Sequence, residues 1–298
     1  NAAKKSGNVV VASQLIYKEK PEFDADGVKY YPIDTIIYPY EALRAEVTCA
    51  YTNVSQDSDR TVRRVLMKES YAGQEQTMFP QAIYERYCEK TGQTINTIAS
   101  DKTGRTLINY SGKPGDYECI SLVDVLQGKI DTRVFKDSIV LVGAYAAGMQ
   151  DNFNVPNGGN QQMYGVEIHA NILQAFMQNR FSVNGNPFLF GLLTGLVCAI
   201  LHFVFKRTKI WLSTILLIAG VAANLIAGVI LNNNGIAISL IYAPLVLIVS
   251  YIYCLAIGYI LEKLKQKKAL ISNRKRRLHL MTLRSCSSRW ARLSPAKL

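Results

Sequence analysis

The side chains best placed to meet another molecule lie in two short stretches, Asp151–Asn154 and Tyr164–Leu173. Asp151, Asn152 and Asn154 carry oxygens that can ligate a hard cation. The same residue types also close Asx turns, and the sequence leaves both readings open. Glu167 and Asn171 stand four apart, so a helix places them one above the other. His169 lies three before Ile172, beside an apolar stripe. A carboxylate, an imidazole and an amide so placed can hold a polar ligand, which makes Asp151, Glu167, His169 and Asn171 the candidate ligand-binding residues. A hydrogen-bonded structural histidine explains His169 equally well. Gly143 and Gly148 bracket a small-residue segment that lacks both the dinucleotide fingerprint and the Gly-Lys-Ser/Thr of a phosphate loop, so they are read as a structural turn. No Ser/His/Asp or Cys/His set and no pair of carboxylates stands out. None of the six cysteines has metal-ligand spacing. No catalytic residue, metal or cofactor is expected. Cys49, Cys88 and Cys119 allow at most one internal disulfide, in any of three pairings, or remain buried thiols.

These residues need elements to position them. Val166–Asn179 has the periodicity of a helix, with Ile168, Ile172, Ala175 and Phe176 on one face. The run Ile139–Val142 is short and β-rich, as in a central parallel strand. Strand, loop and helix in that order predict an α/β domain. Val9–Ala12, Thr35–Ile37, Val62–Met67 and Arg105–Tyr110 read as further strands. The last ends at the turn signal Ser111-Gly-Lys-Pro-Gly115. Ala82–Lys90 reads as a helix. Ser121 is a candidate N-cap for a helix through Leu126, with Gly128 after its end.

Charge divides the chain. Residues 1–186 hold 19 Lys and Arg against 21 acids, whereas residues 187–298 hold 15 against the single Glu262. Within the second part, 187–205, 210–231 and 236–261 are uncharged apolar runs. A helix needs about 20 residues to cross the ~30 Å hydrocarbon core, so each is expected to span a membrane. Lys206, Arg207 and Lys209 fill the first loop, Asn232–Gly235 the second, and many Lys and Arg follow Leu261. Basic residues gather on the cytoplasmic side, so the tail is expected inside and residues 1–186 outside a plasma membrane crossed three times. Gly191 and Gly195 form a small-xxx-small pair, and Gly220, Asn224 and Gly228 share a face. Both suit helix packing, within the chain or in a homodimer. Pro244 is expected to kink the third span, and His202 to reach the interface. Bases flanking apolar runs favour membrane lipid over nucleic acid as their partner.

The segment FKDSIVLVGAYAAGMQDNF (Phe135–Phe153), followed by YGVEIHANIL (Tyr164–Leu173), resembles the end of the CHASE2 domain, a sensory extracellular domain associated with cyclases and histidine kinases. INYSGKPGDYECISLVDVLQGKI (Ile108–Ile130) is similar to the same family, as are GNVVVA (Gly7–Ala12) and SDRTVRRVLM (Ser58–Met67), the last around a D-x-x-x-R strand region. The resemblance covers about residues 7–180. It implies an extracytoplasmic α/β sensor, 1–186, then three transmembrane helices, 187–261. A cytoplasmic output domain should follow, often an adenylate or guanylate cyclase and sometimes a histidine or Ser/Thr kinase. It carries over no catalytic residue and no ligand, so the partner is an extracellular ligand or protein of unspecified kind.

Two family features are missing: the leading membrane anchor and the output domain. The chain is therefore expected to be a fragment, without enzymatic activity of its own. In the basic tail 262–298, Leu264 and Ile271 with Leu261 are expected to continue the third helix inward, and the end, His279–Leu298, to be disordered or a frame-shifted start of the output domain. The rival readings are a transporter or channel subunit, which needs ionisable residues inside its spans, a membrane-tethered extracellular enzyme, which needs a catalytic constellation, and a sensor-only scaffold.

Overall fold

The computed structural model describes residues 2–23, 29–101 and 103–293. It divides into two compact units, Asn1–Gly185 with Leu231–Ala237, and Asn186–Ile230 with Ile238–Leu298.

The first unit is built on two small sheets. β1 (Val10–Tyr17) pairs antiparallel with β2 (Ile33–Ile37) and parallel with β3 (Thr48–Tyr51). The second sheet contains β4 (Arg64–Leu66), β5 (Arg105–Ile108) and β6 (Phe181–Asn184), with β4 and β6 each antiparallel to the central β5. A fourth strand, β7 (Ile236–Ala237), adds parallel to β6. Between β4 and β5 the chain makes a hairpin, Lys68–Tyr71 with Gln74–Thr77. Its two turn residues, Ala72 and Gly73, both have positive φ, as a tight hairpin turn matching the strand twist requires.

Two helices cover the sheets. α1 (Phe79–Thr91) has Pro80 in its first turn and ends at Gly92, whose left-handed φ of 70° lets its N–H reach the Cys88 carbonyl. α2 (Gly165–Met177) packs its apolar face on α1. There the Phe176 ring stacks on Tyr84 at 5.1 Å and meets the edge of Phe181 at 4.8 Å. Val62, Val65, Met78, Met163, Ile168 and Ile172 complete a single fully buried core.

Most expected elements are present, and the departures have physical causes. Ile139–Val142 forms no strand: no described strand pairs with it, and Val142 is 71% exposed. An apolar run becomes a strand only where a neighbour completes its backbone hydrogen bonds, and here β1 takes the central position instead. Leu122–Leu126 is a helix, but the Ser121 side chain makes no cap bond. The described cysteines Cys49, Cys88, Cys119, Cys198 and Cys254 are free thiols.

The second unit holds α3 (Pro187–Arg207), α4 (Ile210–Asn233) and α5 (Tyr242–Leu293). All three helices are long and apolar enough to cross a membrane. Their Leu, Ile, Val and Phe side chains are largely exposed. Hydrocarbon accepts such a surface; water does not. Asn186 caps α3 by accepting from Phe188 and Leu189 N–H. Gly220 lies beside Leu201 and Leu247, and Gly228 against Leu240, whereas Gly191 and Gly195 face open space. The first pair of glycines thus serves packing within the chain. The His202 Nδ1 lies 3.3 Å from Ser250 Oγ and 3.2 Å from Cys254 Sγ.

The third helix begins at Tyr242 rather than Ile236, because Ile236 and Ala237 are used in β7. Pro244 consequently falls in the first turn, where its missing N–H breaks no helical bond, and it does not act as a mid-span kink. The third helix continues inward past Leu261 and Ile271, and from His279 to Leu293 the chain is helical as well, rather than disordered.

If the aromatic cluster anchors α2, Phe176→Ala should destabilise the first unit by roughly 3–5 kcal/mol. Cys88, 1% exposed, reports the loss. Its alkylation, followed by peptide mass spectrometry through a urea series, should shift to lower urea in the variant.

Candidate functional site

α2 is buried on two chemically different faces. Ile168, Ile172 and Phe176 enter the core, while Glu167, Asn171 and Gln174 present a polar stripe to the segment Ser111–Tyr117. The Asn171 Oδ1 accepts from the N–H groups of Ser111 at 3.0 Å and Gly112 at 2.9 Å. Its Nδ2 donates to the Glu167 carbonyl. The Glu167 carboxylate accepts from Gly115 N–H at 2.7 Å and from Tyr164 N–H at 3.1 Å. The second bond closes the helix start in the manner of a capping box, with negative charge at the positive end of the helix dipole. The Tyr117 hydroxyl donates to Gln174 Oε1 at 2.7 Å. Glu167 and Asn171 thus share a face, as their spacing predicts, and their polar atoms go to the chain's own backbone.

His169 lies on neither stripe's ligand side. It is 7% exposed and sits 5.6 Å from the Phe79 ring, edge to face. The Thr52 backbone provides one hydrogen bond, and Nδ1 has no partner among the described residues. Burial pulls its pKa down to about 4, so the ring is neutral near pH 7. The Asp151 carboxylate lies against the start of α2, and a Cβ at Gly165 would meet both its oxygens at 2.6 Å. Burial raises its pKa. Gly143 has a comparable steric role, since a Cβ there would lie 2.7 Å from Val166 Cβ; Gly148 has open space around it.

Beside Glu167 opens a cavity of about 600 Å³, walled by Gly115, Tyr145, Asn152, Asn154, Tyr164 and Glu167 among others. Tyr145 and Tyr164 lie 4.4 Å apart. Asn152 donates to Gln162, which donates to Asn154 at 3.2 Å, so amides cross the loop. Contact with Cys119, then burial, pushes the Tyr145 hydroxyl up to about 12, leaving it a donor. Of the four candidate residues, only Glu167 lines this cavity. The arrangement offers rings and amides for binding. No group of three or more His, Cys, Asp or Glu that could hold a metal occurs among the described residues. The backbone of Ser111–Gly115 and the Gln174 amide belong to the same site. The turn signal at 111–115 located that segment, but only the fold shows that it docks on α2.

The D-x-x-x-R pair is also formed: Arg63 makes a bidentate contact with Asp59 at 2.8 and 2.7 Å. That contact holds the Asp59 carboxyl well below the usual range. It fixes the turn entering β4, where Val62 N–H donates to the Asn154 carbonyl at 2.8 Å.

A family model described as CHASE2 domain matches residues 1–206. No curated protein and no solved structure matches the chain.

Two outcomes follow from this geometry. Asn171→Ala would leave two backbone N–H groups without an acceptor and should cost roughly 2–4 kcal/mol. Hydrogen exchange should rise first at Ser111–Gly115, before the α2 amides loosen. For His169, the folded-state pKa lies below the unfolded value, so the unfolded chain binds the extra proton. Stability is full above about pH 6.5 and falls as pH drops toward 4, by roughly 3 kcal/mol for this group. Thermal midpoints taken from pH 7.5 to 4.5 should fall less steeply in His169→Gln than in the unaltered chain.

Proposed function

We propose that this chain, which belongs to the CHASE2 domain family, is the input part of a signalling protein whose output is a nucleotide cyclase. The family is a sensory domain of signalling proteins, and the three apolar helices are suited to hold it in a membrane. The observation that carries the coupling is β7. The residues that join α4 to α5 form a strand of the sensor's own sheet: Val183 N–H donates to the Gly235 carbonyl at 2.9 Å, and Gly185 N–H to the Ala237 carbonyl at 2.8 Å. A change in β6 therefore reaches two membrane helices through one covalent connection. The chain itself acts without catalysis and passes its state along α5, which runs through Leu293. The basic residues before α4 and after Leu261 support a sensor outside and a tail inside.

Epitopes inserted after Gly115 and after Lys268 check the orientation. The first should be reached only from outside and the second only from the cytoplasm; the reverse pattern would reject this reading. Gly235→Val checks the coupling. Its φ of 76° disfavours any side chain, and a Cβ would lie 3.0 Å from the Phe181 carbonyl, so β7 should detach. With a cyclase catalytic domain fused after Arg277, the variant should change nucleotide production several-fold relative to the parent fusion. An unchanged output, with exchange at Val183 and Gly185 raised, would rule out this route.

A further inference from the structure

A second, larger cavity of about 1140 Å³ lies in the first unit, away from Glu167. Its walls come from the segment 97–99, the end of β5, the end of α2 and the connection Asn232–Gly235. All of these belong to one compact unit. Seven carboxamide side chains line it: Asn109, Asn157, Gln178, Asn179 and the run Asn232–Asn234. Arg180 is its single charged residue, and no Asp, Glu or Lys is among the described lining residues. Ile108, Tyr110 and Phe181 supply an apolar floor.

The chain is built to present these groups. Asn179 takes a left-handed φ of 51°, and Asn179 and Arg180 return their N–H groups to the Phe176 and Ala175 carbonyls. This ends α2 and brings Arg180 to the cavity wall. Asn157 donates its Nδ2 to the Gly112 carbonyl at 3.0 Å, which fixes the amide. Its Oδ1 is then buried without a partner among the described residues. That oxygen is shielded from solvent, so the cavity's accessible amides are those of its exposed wall, Gln178 and Asn179 among them.

We infer that this cavity binds a hydroxyl-rich ligand carrying one anionic group, such as a sugar acid or sugar phosphate. A carboxamide both donates and accepts, which matches hydroxyl groups that do the same. A single guanidinium with no acid beside it matches one carboxylate or phosphate. The apolar floor suits the C–H face of a sugar ring. A cationic ligand would meet the Arg180 guanidinium with no acid beside it to compensate. The volume slightly exceeds the usual range of about 300–1,000 Å³ for small-molecule sites, leaving room for a ligand with bridging water. Because Phe181 begins β6 and Gly235 precedes β7, a bound ligand would touch both partners of that strand pair. This last step rests on the input reading above; the binding itself does not.

Isothermal titration of the full chain in phosphatidylcholine nanodiscs, with glucuronate, glucose 6-phosphate and glucose, tests the site. The two anionic sugars should bind at least tenfold more tightly than glucose. Arg180→Gln, an exposed position, should abolish that preference at an unchanged thermal midpoint. Gln178→Ala, at an exposed position of the wall, should weaken both anionic sugars by at least fivefold. Nanodiscs containing phosphatidylglycerol decide the source of the chemistry. Competition with glucose 6-phosphate that Arg180→Gln removes assigns a lipid headgroup, and absence of competition assigns a soluble ligand. Equal binding of glucose, or no binding of any probe together with no effect of phosphatidylglycerol, would overturn the inference. Hydrogen exchange at Leu231–Ala237 separates the two claims: binding that leaves it unchanged keeps the ligand site and rejects the input reading.

Discussion

The first unit depends on a helix that has to be buried on both sides. α2 gives Ile168, Ile172 and Phe176 to the core and Glu167, Asn171 and Gln174 to a loop. Burying an amide and a carboxylate is costly unless every polar atom finds a partner. The chain meets that demand by bending Ser111–Gly115 into a turn whose N–H groups point at α2. The turn in turn walls one cavity through Gly115 and the other through Ser111. Asp151 against Gly165, and Val166 against Gly143, hold the start of the same helix. Both cavities thus take their shape from how α2 is satisfied, and the side chains that satisfy it are not free to do anything else.

The other consequential feature is a small one. β7 contributes two residues to the sensor sheet, and Gly235 makes the turn into it with a φ of 76°. Backbone hydrogen bonds are worth about 1 kcal/mol each in net terms, so a two-residue pairing is easily shifted. Under the proposed input role, a ligand would shift this pairing only by its differential affinity for the two states. A long, deeply buried strand in that place would hold the connection rigidly and transmit nothing.

Much of this was legible in the residues, and the misses share a cause. The three spans follow from hydropathy and length, and α1 and α2 from their 3.6-residue stripes. The placement of Glu167 and Asn171 on one face follows from their spacing alone. Ile139–Val142 misled because its composition is that of a strand, while pairing is decided by segments remote in sequence. Pro244 and the start of the third helix misled together: Ile236 and Ala237 are apolar enough to continue a span, and only the proximity of β6 makes them a strand. The helix from His279 to Leu293 carried no apolar stripe to announce it.

What the sequence determined by itself is local: which stretches are apolar enough for a bilayer, which repeat with helical period, and which turns require glycine. These follow from properties of residues within a few positions of one another. What only the tertiary structure decided is who satisfies whom. Asn171 bonds Ser111 and Gly112, some sixty residues away, and Val183 bonds Gly235 across the whole first pair of spans. Such partners are chosen by the global requirement that buried polar groups be paired, and no short window of sequence contains both halves of the pair.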